Sequence, residues 1–351
     1  MTKMDKNLFS KRVKAIEIKT PKTISQLLGE MRQTGFQGRK LAEIADIWEE
    51  MIKDKNLTIL MGYAASLSVA GQWRIISWLM ENHFIDILVP TGANITEDIV
   101  EAMGFNYWQG SHLVDDQKLF SSGYNRYYDI YGNEHEYLKM TELIAEFIQT
   151  LEKNYNYSSR EFLHLFGEWL WERGIKSIVA VAAKNKIPIF CPAIIDSPYG
   201  DAALIAKSKG FNLTIDTVKD YVEFMSLGEK VKDTGVIYIG GGVPKDFIQL
   251  FAVTADLLYP ERKIPTRKGK SRQGIMDETY YPHKYAIQIT TDSPQWGGLS
   301  GCTFEEAISW GKETKEGRFA QCYCDATIAL PIVVQALAER VKVKRKPKSL
   351  F

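Results

Sequence analysis

A lysine near the end of the chain has the surroundings that most favour covalent chemistry. Thr303 and Glu306 form a predicted capping box at a helix start, and Trp310 lies four residues after Glu306 on the same helix face. Gly311 is predicted to end this helix and to leave Lys312 projecting from its terminus. A lysine is a nucleophile only when neutral, a form that burial against apolar and aromatic groups favours, and Trp310 could supply such a wall. The alternative, a solvated lysine just after a helix end, is the more frequent case.

Four further segments combine small residues with carboxylates or with a lysine, and each follows an apolar run. They span residues 62–68, 91–98, 191–201 and 240–245. Ligands of open α/β sheets bind beyond the carboxyl ends of the strands, so these segments form a candidate ligand site. The three glycines in the last segment expose backbone N–H groups but match neither a dinucleotide fingerprint nor a Walker loop. Taken alone, they are a weak signal for a phosphate.

Carboxylates in two of these segments have more than one interpretation. Asn94 with Glu97 three residues later is a predicted capping box, and a helix start of this kind favours an anionic phosphate. Glu97 could instead hold ribose hydroxyls, and an ordinary helix cap explains both residues equally well. Asp196 and Asp201 could pair with cationic amines, with a loop of solvated aspartates as the alternative.

Short apolar runs alternate with amphipathic stretches along most of the chain. The predicted strands are 57–61, 84–89, 187–191, 211–215, 236–239, 285–290 and 320–324, and the main predicted helices are 72–81, 160–185 and 326–340. Repeated β-α units predict an α/β fold of Rossmann-like class, with one mostly parallel sheet and helices on both faces. Residues 1–351 are predicted as one domain, with a helical arm at about 1–33 and a basic, frayed tail at about 342–351.

Two stretches do not follow this alternation. Residues 104–140 are aromatic and irregular, which predicts a long functional excursion and not a linker. Residues 259–282 are basic and polar, and a solvated loop is favoured over a binding patch.

Composition limits the classes of function. The chain has 351 residues, is 45% hydrophobic and 25% charged, and carries a formal net charge of +1, so no global field attracts nucleic acid or anionic membranes. No signal peptide and no run of about 18 apolar residues is found, which predicts neither export nor a membrane span. Four cysteines without a CxxC pair fit the reducing cytoplasm. The five histidines lack metal-ligand spacing, so no metal site is predicted.

Ordered motifs in this sequence resemble those of the deoxyhypusine synthase family. They lie at residues 34–37, 91–98, 196–201, 240–245, 306–312 and 325–326, and the resemblance runs from about residue 34 to residue 336. Trp310-Gly-Lys312 is the most specific element. The fold that this resemblance implies agrees with the one predicted from the alternating pattern.

The family's chemistry explains why NAD and a lysine would occur together. NAD takes a hydride from spermidine beside its secondary amine, and the lysine attacks the resulting imine and retains an aminobutyl group. The acceptor is a lysine of a translation factor, or putrescine in the related synthesis of homospermidine. The resemblance implies Lys312 as the nucleophile, Asp201 and Glu306 as partners of the substrate ammonium groups, and Trp310 along its carbon chain.

The resemblance also implies a cofactor site and an assembly. The residues expected to line the NAD site are Ser66, Thr91, Gly92, Ala93, Glu97, Asp196, Gly241, Asp325 and Ala326. Members of the family are typically homotetramers whose sites are shared between paired subunits, so the pocket is expected to need a second chain.

Three positions depart from the family pattern. Asp246 stands where the family has a histidine that contacts the amine and assists proton transfer, and an aspartate attracts a cation but is a weaker base. Leu299 and Trp296 stand where the family has aspartates for the polyamine and for the cofactor. Each charge-assisted hydrogen bond lost in this way costs about 1.5–3 kcal/mol. These departures predict a divergent deoxyhypusine synthase-like branch.

Three hypotheses follow for the function. The first is an NAD-dependent aminoalkyl transferase that acts on spermidine or a related polyamine, with a protein lysine or a small diamine such as putrescine as acceptor. The second is a non-catalytic NAD- or polyamine-binding protein, although such a scaffold has no evident use for Glu306, Trp310 and Lys312 together. The third is an NAD-dependent amine dehydrogenase that hydrolyses the imine.

Overall fold

A computed structural model describes residues 11–231, 233–254 and 282–351 and has an α/β fold. The strands are β1 (Leu57–Tyr63), β2 (Ile87–Pro90), β3 (Tyr107–Gln109), β4 (Tyr124–Tyr127), β5 (Ile130–Asn133), β6 (Asn156–Tyr157), β7 (Thr214–Ile215), β8 (Asp233–Ile239), β9 (His283–Thr290) and β10 (Glu313–Tyr323). The helices are α1 (Ile24–Met31), α2 (Phe36–Lys53), α3 (Trp73–Glu81), α4 (Glu97–Ala102), α5 (Asp116–Ser121), α6 (Glu134–Ile148), α7 (Ser159–Glu172), α8 (Ile178–Lys184), α9 (Pro198–Ser208), α10 (Thr217–Ser226), α11 (Gly242–Thr254), α12 (Phe304–Ser309) and α13 (Ala326–Arg340). None of these helices is both long and apolar enough to cross a bilayer.

A five-stranded sheet in the order β10-β9-β8-β1-β2 forms the centre, and all its strand pairs are parallel. Every residue of β1 is buried, as expected for a strand covered on both faces. Ile59 and Met61 of β1 pack in one apolar cluster, whereas Leu60 between them packs in the other. Because successive side chains of a strand point to opposite faces, helices must cover both faces of the sheet. The predicted fold class is therefore confirmed.

Most of the predicted central strands are present, but two predictions are wrong. Residues 187–191 form only an isolated parallel bridge, between Leu88 and Ile189. Of residues 211–215, only β7 is a strand, and it pairs with β6 in a separate two-stranded sheet. Residues 187–191 are mostly buried and apolar, whereas in 211–215 apolar residues alternate with exposed Asn212 and Thr214. Neither pattern alone distinguishes a strand of the central sheet from an extended connection or a short separate pair.

The single long helix predicted at 160–185 is in fact two helices. Gly174 has φ +76° and ends the turn after α7, and Ser177 then caps α8 by accepting a hydrogen bond from the Ala180 N–H at 3.3 Å. The two helices cross closely, because a Cβ added at Gly167 would lie 2.4 Å from the Val179 carbonyl oxygen. A continuous helix could not make this contact, so the break between α7 and α8 allows the two helices to pack closely.

The aromatic excursion at 104–140 is an ordered unit. It contains a three-stranded antiparallel sheet in the order β3-β5-β4, followed by the start of α6. Of the basic segment predicted as a solvated loop at 259–282, residues 259–281 lie outside the described residues.

The C-terminal tail is anchored, so the prediction that it is frayed is wrong. Arg345 donates hydrogen bonds to Asp86 Oδ2 at 2.9 Å, to the His83 carbonyl at 3.0 Å and to the Leu57 carbonyl at 2.6 Å. Both charged side chains of this ion pair are buried. Burial raises the pKa of Asp86, and the neighbouring Arg345 acts in the opposite direction. Arg345 of the basic tail therefore forms a structural ion pair with Asp86 near the start of β1.

Replacing Arg345 with alanine should destabilise the protein strongly. The variant leaves the Asp86 carboxylate buried without its cation, a change that costs about 3–5 kcal/mol. Chemical denaturation would measure the free energy of unfolding, with Lys346→Ala on the exposed face of the same tail as the control, expected within about 0.5 kcal/mol of wild type. Equal, small effects of the two substitutions would contradict this role for Arg345.

Candidate active site

A cavity of about 290 Å³ lies between the start of α11, the segment after β9, and α12 with the turn that follows it. The residues that line it are Asp246, Pro294, Gly297, Gly298, Leu299, Cys302, Glu306, Trp310 and Lys312. The fold thus brings together four of the five residues predicted for catalysis and substrate binding, namely Asp246, Glu306, Trp310 and Lys312.

The backbone on both sides of Lys312 is fixed. Gly311 has φ +76°, a conformation that favours glycine, and it turns the chain from α12 into β10. The Lys312 N–H donates to the Ala307 carbonyl at 3.0 Å, and the Lys312 carbonyl accepts from the His283 N–H at 2.9 Å. The residue is only 8% exposed. The alternative of a solvated lysine at a helix end therefore does not hold.

The amine of Lys312 is held by two acceptors and an aromatic ring. Its Nζ donates to Asp246 Oδ1 at 3.0 Å and to Gln249 Oε1 at 3.3 Å. The centre of the Trp310 ring lies 5.7 Å from Nζ, within the range of a cation–π contact. Trp310 is 47% exposed, so it forms one wall of the site and does not close it. The amine is therefore held by its neighbours and faces a cavity.

Glu306 presents its carboxyl group to the same cavity from the first turn of α12. Half of the predicted capping box is present, since Thr303 Oγ1 accepts a hydrogen bond from the Glu306 N–H at 3.1 Å. The Glu306 carboxyl group lies beside the Cys302 thiol, whose pKa is raised by burial and further by Glu306. A carboxylate on an exposed helix start is suited to attract a cationic ligand.

A second buried lysine, Lys245, supports one wall of the cavity. Its Nζ donates to the carbonyls of Leu299 at 3.1 Å and Cys302 at 2.9 Å, and to Gln288 Oε1 at 3.0 Å. Burial lowers the pKa of Lys245 to about 8. The two carbonyl contacts tie the segment that bears Leu299 to α11, so Lys245 shapes the site.

Gly241 connects this cavity to the edge of the sheet. A Cβ at this position would lie 2.3 Å from Ser300 Cα, so only glycine allows the turn after β8 to approach the cavity wall. Gly92 makes a similar approach after β2, where a Cβ would lie 2.4 Å from Ser197 Oγ. Both glycines belong to the set expected to line a cofactor site.

Apart from Asp196, the rest of that set follows the carboxyl ends of parallel strands, which share one edge of the sheet. Ser66 follows β1, the set from Thr91 to Glu97 follows β2, and Asp325 and Ala326 follow β10. A hydrogen bond of 2.7 Å from Gln72 Nε2 to the Thr327 carbonyl links the segment after β1 to the start of α13.

The predicted capping box of Asn94 and Glu97 is wrong. Asn94 lies inside a short 3-10 turn, and Thr96 is the residue that precedes α4. The Asn94 side chain instead accepts from the Leu67 N–H at 3.2 Å and donates to Thr91 Oγ1 at 2.9 Å. Asn94 therefore fastens the segments after β1 and β2 to each other.

Glu97 is a buried carboxyl group with an unused acceptor. It is 5% exposed, and its Oε2 has no hydrogen-bond partner among the described residues. Burial, with a smaller contribution from Asp98, raises its pKa to about 7. Tyr127 and Tyr137, in the excursion and α6, are close enough for Glu97 to raise their pKa values, after the larger effect of burial. The orphaned oxygen suits a hydroxyl donor of a ligand.

Three predicted aspartates have other positions. Asp201 is exposed in the first turn of α9, is near Tyr137, and does not line the cavity of Lys312. Asp196 is exposed in the turn before α9. Asp325 caps α13 by accepting from the Thr327 N–H at 2.8 Å and from the Thr327 hydroxyl. The single chain therefore does not bring Asp201 to Glu306.

Three buried polar residues around Lys312 were not predicted from the sequence. Gln249 donates from Nε2 to Glu313 Oε1 at 3.2 Å, and Glu313 is 2% exposed with a pKa that burial raises to about 7. Lys245 was noted only as the end of a glycine motif. One signal was available: Gln249 lies four residues after Lys245 on α11, and hence on the same helix face.

Comparison with known proteins identifies the family. Residues 26–337 match the deoxyhypusine synthase family. The chain is 44% identical over 332 residues to a probable deoxyhypusine synthase 2 of Methanosarcina mazei, which covers 94% of this chain and 91% of the relative. It is 45% identical over 321 residues to a probable deoxyhypusine synthase 2 of Archaeoglobus fulgidus, which covers 92% and 99%.

A solved structure has the same fold. It is a crystal structure from Entamoeba histolytica described as a candidate deoxyhypusine synthase, with a TM-score of 0.62, 18% sequence identity and coverage of 95% of this chain and 99% of that chain. At this identity the likeness supports the fold, whereas the sequence matches establish the relationship. The chain therefore belongs to the deoxyhypusine synthase family.

Proposed function

We propose that this protein is an NAD-dependent aminobutyl transferase that acts on spermidine or a related polyamine through an imine on Lys312. The observation that carries the proposal is the position of Lys312. Its amine is buried, lies 3.0 Å from a carboxylate, and faces a cavity of about 290 Å³ that is also lined by Glu306 and Trp310. A lysine that must carry a substrate-derived group needs such a site, because its neutral form and its orientation both have to be controlled.

The residues of the sheet edge fit NAD. Gly92 and Gly241 make turns with no room for a side chain. Glu97 Oε2 is buried, has no hydrogen-bond partner within the described part of the chain, and could accept a hydrogen bond from a ribose hydroxyl. The remaining residues proposed to hold the cofactor are Ser66, Thr91, Ala93, Asp196, Asp325 and Ala326. When bound, NAD supplies the acceptor for the hydride that oxidises the amine and later the donor that reduces the product.

Lys312 acts once the carbon beside the secondary amine of the substrate is at the oxidation level of an imine. Neutral Nζ adds to that carbon, a C–Nζ bond forms, and the bond to the departing nitrogen breaks. Nζ gives up one proton to Asp246 Oδ1, the acceptor at 3.0 Å, and the departing nitrogen gains one proton and leaves as 1,3-diaminopropane. A protonated imine of the substrate is thereby exchanged for a protonated imine on Lys312. The product is an imine between Lys312 and the aminobutyl group, which an acceptor amine then receives by the reverse exchange.

Glu306 and Trp310 would bind the polyamine. The Glu306 carboxylate pairs with a terminal ammonium group, and the Trp310 ring lies along the carbon chain. Asp201 would have to come from a second copy of the chain, which fits the proposed homotetramer with shared sites. Leu299 lines the cavity with an apolar side chain, so the proposed pocket holds fewer carboxylates than the family pattern.

Product analysis tests the proposal. The protein incubated with NAD, spermidine and putrescine should release 1,3-diaminopropane and form homospermidine, without lasting NADH absorbance, since the hydride returns to the product. If a protein lysine is the sole acceptor, 1,3-diaminopropane beyond one equivalent per Lys312 should appear only when the translation factor is added. Net NADH without a transferred product would replace the proposal with amine oxidation. Absence of all products across a panel of polyamines, with NAD binding verified, would refute transfer altogether.

A further inference from the structure

Behind the cavity, three side chains form a buried chain of hydrogen bonds. Lys312 Nζ donates to Gln249 Oε1 at 3.3 Å, and Gln249 Nε2 donates to Glu313 Oε1 at 3.2 Å. Gln249 is fully buried and Glu313 is 2% exposed. Neither Gln249 nor Glu313 is among the residues that line the cavity. Gln249 contacts the reactive amine from behind, Glu313 is linked to that amine through Gln249, and neither side chain faces a substrate in the cavity.

The chemistry of a carboxylate decides how the amide of Gln249 is oriented. An ionised carboxylate only accepts hydrogen bonds, so the NH₂ group of Gln249 must face Glu313 and its oxygen must face Lys312. The second oxygen of Glu313 has no hydrogen-bond partner among the described residues. A glutamate in this position therefore has one evident polar task, the orientation of the amide.

The orientation of the amide matters because of the geometry of a neutral amine. Such an amine has two N–H donors and one lone pair around nitrogen. Among the residues that the structure describes, the two acceptors bonded to the Lys312 amine are Asp246 Oδ1 and Gln249 Oε1. With both donors directed at these acceptors, the lone pair takes the remaining tetrahedral position, which is the one open to an electrophile in the cavity.

We propose that Glu313 is a positioning residue that acts through Gln249: it fixes the amide so that the neutral Lys312 amine aims its lone pair at the cavity. This inference rests on the proposed role of Lys312 as nucleophile. Protonation of Glu313 would abolish the effect, since a protonated carboxyl group can donate and lets the amide turn over. Positioning should therefore be strongest above the pH at which Glu313 ionises.

The groups around Glu313 define that pH. Lys245 on α11 and Lys312 favour its ionised form, whereas burial opposes it more strongly and raises the pKa of Glu313 to about 7. Two neighbouring groups on the adjacent strands are neutral near this pH. Burial raises the pKa of Tyr238 on β8 well above its ordinary value and lowers that of His283 on β9 to about 3. As the pH rises through about 7, Glu313 ionises and fixes the orientation of the Gln249 amide.

The test uses a chemical probe that needs neither NAD nor polyamine. Formaldehyde with cyanoborohydride alkylates neutral amines, and peptide mass spectrometry gives the labelling rate of Lys312 relative to exposed Lys118 in the same sample. Above about pH 7, labelling in Glu313→Gln should be about tenfold slower than in wild type, the size of one oriented hydrogen bond. If Glu313 acted only through its charge, Lys312 would be labelled faster in Glu313→Gln than in wild type, because loss of a nearby anion disfavours the ammonium form. An equal or faster rate in Glu313→Gln would overturn the inference.

A second variant separates positioning from general damage to the structure. Gln249→Met removes the connecting amide and leaves Glu313 in place, so it should slow labelling as much as Glu313→Gln, and the double variant should be no slower than Gln249→Met. Additive losses would mean that Glu313 does not act through Gln249. The control is Glu305→Gln, which changes an exposed carboxylate on α12. Lys312 in this variant should be labelled at the wild-type rate.

Turnover distinguishes this inference from the proposed function. If polyamine transfer occurs, both variants should lower kcat about tenfold with KM nearly unchanged, because neither residue lines the cavity. If wild type forms no transfer product while the labelling difference persists, the proposed function fails and the positioning stands. If transfer occurs at equal kcat and equal labelling in all variants, the function stands and the positioning fails.

Discussion

Lys312→Ala should carry no substrate-derived group after incubation with NAD and spermidine and a borohydride quench. In wild type, reduction of the imine should fix an aminobutyl group to the peptide that contains Lys312, and mass spectrometry would detect it. Loss of the covalent nucleophile should lower kcat by on the order of 10⁴-fold or more. The effect is large because, of the described residues that line the cavity, Lys312 is the one that carries an amine.

The matched control is Lys315→Ala, three residues further on in β10, where the side chain is exposed. It should form the adduct as wild type does. Both variants should be compared for folding and NAD binding, because removal of the Lys312 amine leaves Asp246 and Gln249 without a donor and costs about 1–3 kcal/mol. An adduct on Lys245 in the Lys312→Ala variant would contradict the assignment and would make the other buried lysine the nucleophile.

The fold could be predicted where periodicity and length agree. The last helix, α13, has the predicted bounds, and β1, β8 and β9 contain the predicted strands. β10 begins earlier than predicted and includes all of 320–324 except the last residue. The prediction failed at 187–191, where a buried apolar run meets the sheet at a single bridge. It also failed at the tail, because the partner of Arg345 is Asp86, far away in the sequence. An apolar pattern indicates which residues are buried. It does not indicate which strands pair in a sheet or which distant residues form ion pairs.

The candidate site could be predicted only in part, because the sequence shows local features and not tertiary contacts. Trp310 and Lys312 share a short segment whose residue types and spacing are informative, and Glu306 lies one helix turn earlier. Gln249 and Glu313 have no such local signature, since a glutamine within a helix and a glutamate at a strand start are ordinarily solvated. Only the crossing of α11 over the start of β10 buries both beside Lys312. Their role therefore depends on tertiary packing.

Glu306→Gln should raise KM for the polyamine by about 10- to 100-fold, with a much smaller change in kcat. Glutamine keeps the size of the side chain, and the backbone hydrogen bond to Thr303 Oγ1 does not depend on the carboxylate. The substitution therefore removes the negative charge and little else. Steady-state kinetics at low and high salt would measure the effect, which should shrink with salt because Glu306 is exposed. Glu305→Gln, its neighbour on α12, should leave KM unchanged.

The size of this effect follows from the charges of the cavity. Two carboxylates line the cavity among the described residues, and one of them, Asp246, is paired with Lys312 at 3.0 Å, so much of its charge is offset before a substrate arrives. Leu299 adds no charge, and the attraction for a cationic substrate falls mainly on Glu306. A lower kcat at constant KM would contradict this division and would place Glu306 in the chemical step. If neither constant changed, the ammonium group of the substrate would have to bind elsewhere, with Asp201 of a second copy as the next carboxylate to replace.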